Sequence, residues 1–177
     1  MRIVNKRTEY STPWFELMAK WVEGDSAPYY SLRMLDYVTV VTFTKDVELV
    51  LVRQYRPAVE RYTLELPSGH VEKGEEPAFS AARELAEECG LEAPKVELLG
   101  NLASDTGRHD NRLWCYLAKD ATTLPSGYVP EAGVERILVP RAKIPELLSH
   151  PEFDHALHLA ALMLAIAKEK AGFLALK

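Results

Sequence analysis

Gly69-His-Val-Glu-Lys-Gly74-Glu75-Glu-Pro77-Ala-Phe79-Ser-Ala-Ala82-Arg83-Glu84-Leu85-Ala86-Glu87-Glu88-Cys89-Gly90-Leu91 reads as a glycine turn leading into a helix. Pro77 suits the first helical turn and Gly90 the position just past the end. Ala78, Phe79, Ala82, Leu85, Ala86 and Cys89 recur at three- and four-residue spacing, which predicts an apolar stripe facing a core. On that pattern Glu84, Glu87 and Glu88 fall on the other side. Like charges so spaced cost a helix roughly 0.2–0.5 kcal/mol per pair. They also sit in the last turn, where the helix dipole disfavours anions. A purely structural helix would carry Lys or Arg there. Carboxylates converging on one point suit a hard divalent cation such as Mg2+ or Mn2+.

The fixed residues of this stretch are Gly69, Glu75, Arg83, Glu84, Leu85, Glu87, Glu88, Gly90 and Leu91. They match the Nudix box, Gly-x5-Glu-x7-Arg-Glu-U-x-Glu-Glu-x-Gly-U with U aliphatic, at every fixed position. The chain therefore resembles a Nudix hydrolase. The resemblance implies an α/β/α sandwich with a mixed sheet, and it implies roles within the box. Glu84 and Glu88 would be the principal metal ligands, with Glu87 completing the site and the Ser68 carbonyl reaching the metal. Arg83 and Glu75 would pair to brace the loop against the helix. Gly69 and Gly74 would supply turn conformations.

The residues ahead of the box narrow the branch. Arg53-Gln54-Tyr55-Arg56-Pro57 and Glu65-Leu66-Pro67-Ser68-Gly69 resemble runs of the ADP-ribose pyrophosphatase branch. That resemblance implies hydrolysis of the diphosphate in a nucleoside-diphosphate sugar, with ADP-ribose giving AMP and ribose 5-phosphate. Arg56 would clamp the diphosphate, since a planar guanidinium suits phosphate oxygens. Arg53 is a second candidate, and Glu65 would hydrogen-bond substrate or a nearby arginine. GDP-mannose and other nucleotide sugars stay open as substrates, as does a non-catalytic Nudix module that senses a nucleotide sugar. Such modules typically lose box glutamates, and this chain keeps them.

Two regions depart from the branch pattern. Asp105-Thr106-Gly107-Arg108-His109-Asp110-Asn111-Arg112 replaces its usual Ser-Pro-Gly-aromatic-Ser run. Arg108, His109 and Arg112 could there meet a phosphate or sugar hydroxyls. The general base, a loop glutamate in that branch, could be Glu131 or Glu135. Glu131 is favoured because it stands on the loop, and Glu135 would lie on a strand.

Outward from the box, Tyr37–Phe43 and Glu48–Val52 predict a hairpin turning at Lys45-Asp46. Further strands are expected over 62–66, 95–102, 112–118 and 134–139. A short helix is expected over 144–148 and a longer, well-buried one over 154–171. Strands flanked by helices argue for a mixed sheet between them. The first 36 residues mix aromatics with charges and predict two short strands, a β arm ahead of a main domain over residues 37–177. An arm so small must pack on something. Branch members are commonly homodimers whose arms cross to the partner, which would make Trp14 and Trp21 candidate platforms for the base.

The 177 residues are 47% hydrophobic, enough for one domain with a sizeable core. A net charge of −5 argues against nonspecific nucleic-acid binding. The most apolar stretch, 156–167, is interrupted by His158 and is too short to span a bilayer. No secretory signal pattern is visible. Cys89 and Cys115 read as buried small apolar residues rather than a disulfide framework. These features predict a cytoplasmic protein that partners with neither membrane nor nucleic acid.

Overall fold

The computed structural model describes residues 1–125, 129 and 131–168. β1 (Ile3–Ser11), β2 (Phe15–Val22) and β3 (Tyr29–Met34) pair in order as a three-stranded antiparallel sheet. Two strands were expected here, so β1 is a correction. All nine of its residues are exposed, and it therefore carries no inside–outside alternation to read. The buried centre of this sheet is Met18 and Ala19 on β2.

Leu49-Val50-Leu51-Val52 explains the rest of the architecture. An unbroken apolar run suits a strand covered on both faces. It lies in β5 (Glu48–Arg56), which forms the expected hairpin with β4 (Tyr37–Thr44). β6 (Arg61–Glu65) pairs with β5, and β7 (Ser68–His70) pairs with β4. Then come α1 (Pro77–Cys89), β8 (Leu91–Glu92), β9 (Val96–Ala103), β10 (Arg112–Thr123) and β11 (Val134–Pro140). α2 (Ile144–Leu147) and α3 (Ala156–Lys168) follow. The part of the expected last helix beyond 168 lies outside the described residues. Among the described residues the main sheet has the central order β11-β5-β4-β10-β8, with β4 and β10 parallel and the other pairs antiparallel. It is the mixed sheet that was expected. β7 and β8 are too short to show a period, and β10 runs past Ala118 through a register shift near Asp120 (φ 56°).

Side chains alternate along β4, β5 and β10 as far as Ala118. Val38, Val40, Val50, Val52, Tyr116 and Ala118 face α1. Val41, Phe43, Leu49, Leu51, Cys115 and Leu117 face α2 and α3. Each fully buried aliphatic contributes about 1.5–3 kcal/mol. Both cysteines are buried and unpaired.

The face that α1 presents corrects the expected stripe. Its buried residues are Ser80, Ala81, Glu84, Leu85, Glu88 and Cys89, whereas Phe79 is 70% exposed and Ala82 is exposed. Glu84 and Glu88 thus share the inward side with Leu85, and of the three glutamates Glu87 alone is exposed. A rule that puts apolar residues inside misplaces this helix because it ignores the carboxylates. Gly90 ends α1 in the left-handed region (φ 63°, ψ 32°), and its N–H donates to the Ala86 carbonyl at 2.9 Å.

Candidate active site

β7 and the inward side of α1 press together. The Ser68 N–H donates to Glu88 Oε2 at 2.9 Å. A Cβ on Gly69 would lie 2.0 Å from Glu84 Oε1, so no other residue fits while Glu84 holds this position. The demand is therefore close approach rather than the turn conformation expected of Gly69; Gly74, at φ 85°, does take the left-handed region. Burial pushes the Glu88 carboxyl up to about 8, and the neighbouring Glu84 adds to the rise. The Ser68 N–H and Arg56 oppose it only in part. Burial raises Glu84 as well, against the pull of Arg83. Two adjacent carboxyls that resist ionisation gain most from a cation.

Arg83 fastens the loop to the helix. Its guanidinium donates to Glu75 at 3.2 Å, Glu84 at 2.8 Å, Glu87 at 3.0 Å and the His70 carbonyl at 3.1 Å. Glu75 also accepts from Ser80 Oγ at 2.7 Å. Arg83 and Ser80 hold the Glu75 carboxyl at about 2. An isolated surface pair is worth little. One guanidinium bridging three carboxylates and a carbonyl has its geometry fixed from several sides.

The next layer comes from β5 and β6. Arg56 Nε and Nη2 donate to the two oxygens of Glu65 at 2.7 and 2.6 Å. Thr63 Oγ1 donates to Glu65 Oε1 at 2.6 Å. Burial acts to raise the Glu65 carboxyl, but these donors prevail and hold it at about 2. His158, fully buried on α3, accepts the Leu66 N–H on Nδ1 at 3.2 Å, and burial holds its ring down at about 3. Arg56, Glu65 and Ser68 line one side of a cavity of about 590 Å3. Ser104, His109 and Asn111 line it as well, with His155 at the start of α3.

The remaining candidates scatter. Glu131 is exposed, yet its charge is felt by both Glu84 and Glu88. Glu135 stands on β11 opposite Arg53. Arg53 itself grips Glu152 at 2.9 and 3.1 Å and lies 4.3 Å over the Tyr62 ring, away from the cavity. Arg108 covers the Tyr29 ring at 4.6 Å and donates to the Tyr30 carbonyl at 3.1 Å, which turns it to the arm. Trp21 lies under Arg7, and Trp14 stacks at 6.2 Å on His70 at the end of β7. The structure thus gathers Ser68, Glu75, Arg83, Glu84, Glu87, Glu88, Arg56 and Glu65, with Trp14 at the edge, and leaves Arg53, Arg108 and Trp21 outside. Among the described residues, no three His, Cys, Asp or Glu side chains already converge as a cage; Glu87 turns to Arg83 instead. Sequence reasoning missed Thr63, Ser104 and His155. It read His158 merely as an interruption of an apolar stretch, although a histidine in such a stretch is itself a signal.

A family model described as a NUDIX domain matches residues 34–160. The chain belongs to the Nudix family. Its box resemblance is thereby borne out. Among curated relatives, the methanol dehydrogenase activator of Bacillus methanolicus is 40% identical over 46% of this chain and 44% of its own length. The ADP-ribose pyrophosphatase of Bacillus subtilis is 36% identical over 49% of this chain and 47% of its own. This Nudix chain spans about half the length of those two relatives. The ADP-ribose pyrophosphatase of Mycobacterium tuberculosis is 30% identical over 77% of this chain and 67% of its own length. A crystal structure of an ADP compounds hydrolase matches with a TM-score of 0.79 at 24% identity, covering 96% of this chain and 93% of that one, a likeness of fold. No helix among the described residues is long and apolar enough to cross a membrane.

Proposed function

We propose that this Nudix protein is a divalent-cation-dependent pyrophosphohydrolase of ADP-sugars, with ADP-ribose as the leading substrate and Mg2+ as the working ion. The observation that carries the reading is the buried pair Glu84 and Glu88, held against the Ser68–Gly69 backbone beside the Arg56–Glu65 cavity. The names of the curated relatives supply the substrate class.

The residues fit a hard divalent ion. Oxygen donors from Glu84 and Glu88 stand close together at raised pKa, and Gly69 leaves the room that Glu84 occupies. Glu84, Glu88 and Glu87 would hold it, with the Ser68 carbonyl. When bound, the ion supplies Lewis-acid polarisation of the diphosphate oxygens.

The chain's own residues do the rest. Arg56 keeps two N–H groups on Glu65, which aims the remaining donors at the diphosphate. Arg83 and Glu75 keep the loop in register with α1. Glu131, which already acts electrostatically on Glu84 and Glu88, takes the proton of the attacking water. Water adds to one phosphorus and the other phosphate leaves, so ADP-ribose yields AMP and ribose 5-phosphate.

The arm, residues 1–36, serves a homodimer of the main domains, residues 37–177. Ile3, Val4, Tyr10, Trp14 and Tyr30 are each 46% or more exposed, which supports a covering subunit. Two unpaired buried cysteines suit the cytoplasm. The reading is tested by a panel of nucleotide sugars and dinucleotides with Mg2+, followed by phosphatase-coupled phosphate release. ADP-ribose should give the highest kcat/KM. No turnover of any ADP-sugar, with binding retained, would favour the sensor.

A further inference from the structure

Segment 104–112, where this chain departs most from the expected loop, carries a hydrogen-bond chain whose polarity can be deduced. Asn111 is 4% exposed, and its Nδ2 donates to the Leu35 carbonyl at 3.0 Å. A carbonyl only accepts, so this bond fixes which end of the Asn111 amide is nitrogen. Asn111 Oδ1 must then accept the Ser104 hydroxyl proton, over 2.7 Å. With its proton committed, Ser104 Oγ can only accept from His109 Nδ1, 3.3 Å away. The neutral His109 ring must therefore carry its proton on Nδ1. Nε2 is left as a lone-pair acceptor, on a residue that lines the cavity beside Arg56 and Ser68.

We propose that His109 is a specificity residue that reads a hydroxyl donor on the sugar end of the substrate, with Ser104 and Asn111 as positioning residues that set its tautomer. The inference rests on the proposed ADP-sugar activity. The surroundings favour a sugar over a base. Ser104, Asn111 and Arg112, from the same segment as His109, line the cavity with it and bring hydrogen-bonding groups, while the lining's tyrosine, Tyr37, already has the His70 ring against it at 4.3 Å. Polyhydroxyl groups suit such a wall, and bases suit rings. The loop is also held still, which an acceptor of fixed direction requires. Leu32 N–H donates to the Arg108 carbonyl at 2.7 Å, Asp110 N–H to the Leu32 carbonyl at 3.1 Å, and Met34 N–H to Asp110 Oδ1 at 3.2 Å. Arg108 completes this fastening through Tyr29 and Tyr30, which explains why a cation stands at a position turned away from the substrate.

The test compares kcat/KM for ADP-ribose with that for an ADP alkyl ester, which keeps the diphosphate and lacks the sugar hydroxyls. His109→Phe should lower the preference for ADP-ribose about tenfold, since a site built to bond a hydroxyl discriminates through that bond. His109→Gln, whose amide oxygen still accepts, should restore most of it. A purely structural role predicts equal losses on both substrates and no rescue, and an unchanged ratio in His109→Phe overturns the assignment. Independently of turnover, two-bond 1H–15N correlations of the full chain with the ring neutral should show the Nδ1–H tautomer in wild type. They should show a mixture in Ser104→Ala, and a dominant Nε2–H form in wild type overturns the proposal. Failure of the ADP-sugar reading itself looks different, because wild type then turns over neither substrate.

Discussion

The box helix and the N-terminal arm invert the usual rule of burial in opposite senses. Glu84 and Glu88, two carboxylates, are 9% and 6% exposed, whereas Trp14 and Tyr10, two rings, are 70% and 63% exposed. Folding alone would favour the reverse, since burying charge is costly and burying aromatic surface is favourable. The two regions teach that a local conflict with folding physics is the best guide to where binding occurs. Under the proposed function the first conflict is resolved by a cation and the second by another subunit.

The harshest way to break that comparison is Glu88→Gln. Without metal the Glu88 carboxyl is largely protonated at neutral pH, so the neutral isostere should fold with an unchanged or higher Tm. Turnover should fall on the order of a thousandfold. Wild-type-like kcat, or activity that survives EDTA, would remove the cation from the account. Next in size is the pair Glu131→Gln and Glu135→Gln. The first should cost about a hundredfold in kcat with KM nearly kept, as loss of a general base does. The second should cost about twofold, because Glu135 faces Arg53 rather than the carboxylates. The opposite ranking in steady-state kinetics would exchange their roles.

The arm is sharpened by deleting residues 1–36, which should abolish a dimer interface of roughly 2,000 Å2 or more. Trp14→Ala, which leaves the β3 contacts with segment 104–112 intact, should raise KM about tenfold if the ring stacks on the base. Light scattering and KM together decide the matter, and a fully active monomer would refute the arm's part. The smallest effect concerns pH. Glu88 sits at about 8 in the fold against an ordinary 4.5. The metal-free fold thus binds a proton more tightly than the unfolded chain, and the stability this brings drains away as pH rises from 4.5 through 8. A cation replaces that proton, so the Tm gained on adding Mg2+ should grow by about 3 °C per pH unit towards pH 8. A gain that is flat with pH in calorimetry would show that Glu88 is not a ligand.

The hairpin, the α/β/α layering and the box were legible because unbroken β-rich apolar runs, a lysine–aspartate turn and fixed spacings are local signals. Arg83–Glu75 was legible for the same reason, being within one motif, whereas Glu65 was expected to meet substrate or a nearby arginine, and that arginine is Arg56 on the adjacent strand. What escaped was long-range or uniform. β1 is exposed throughout and offers no contrast. Arg53 meets Glu152, and Arg108 meets Tyr29, across separations that sequence does not display. The inward turn of Glu84 and Glu88 escaped because polarity, read alone, places every carboxylate outside.

Gly69 has a further consequence. It holds a hydrogen where any other residue would set a carbon 2.0 Å from Glu84 Oε1. Under the proposed function, a methyl there should push the Glu84 carboxylate off the cation's position while Arg56, Glu65 and segment 104–112 keep theirs. On that reading recognition and hydrolysis should be separable at a single atom. Gly69→Ala should then bind the nucleotide that the proposed enzyme would consume, which would make it a reagent for capturing that nucleotide intact.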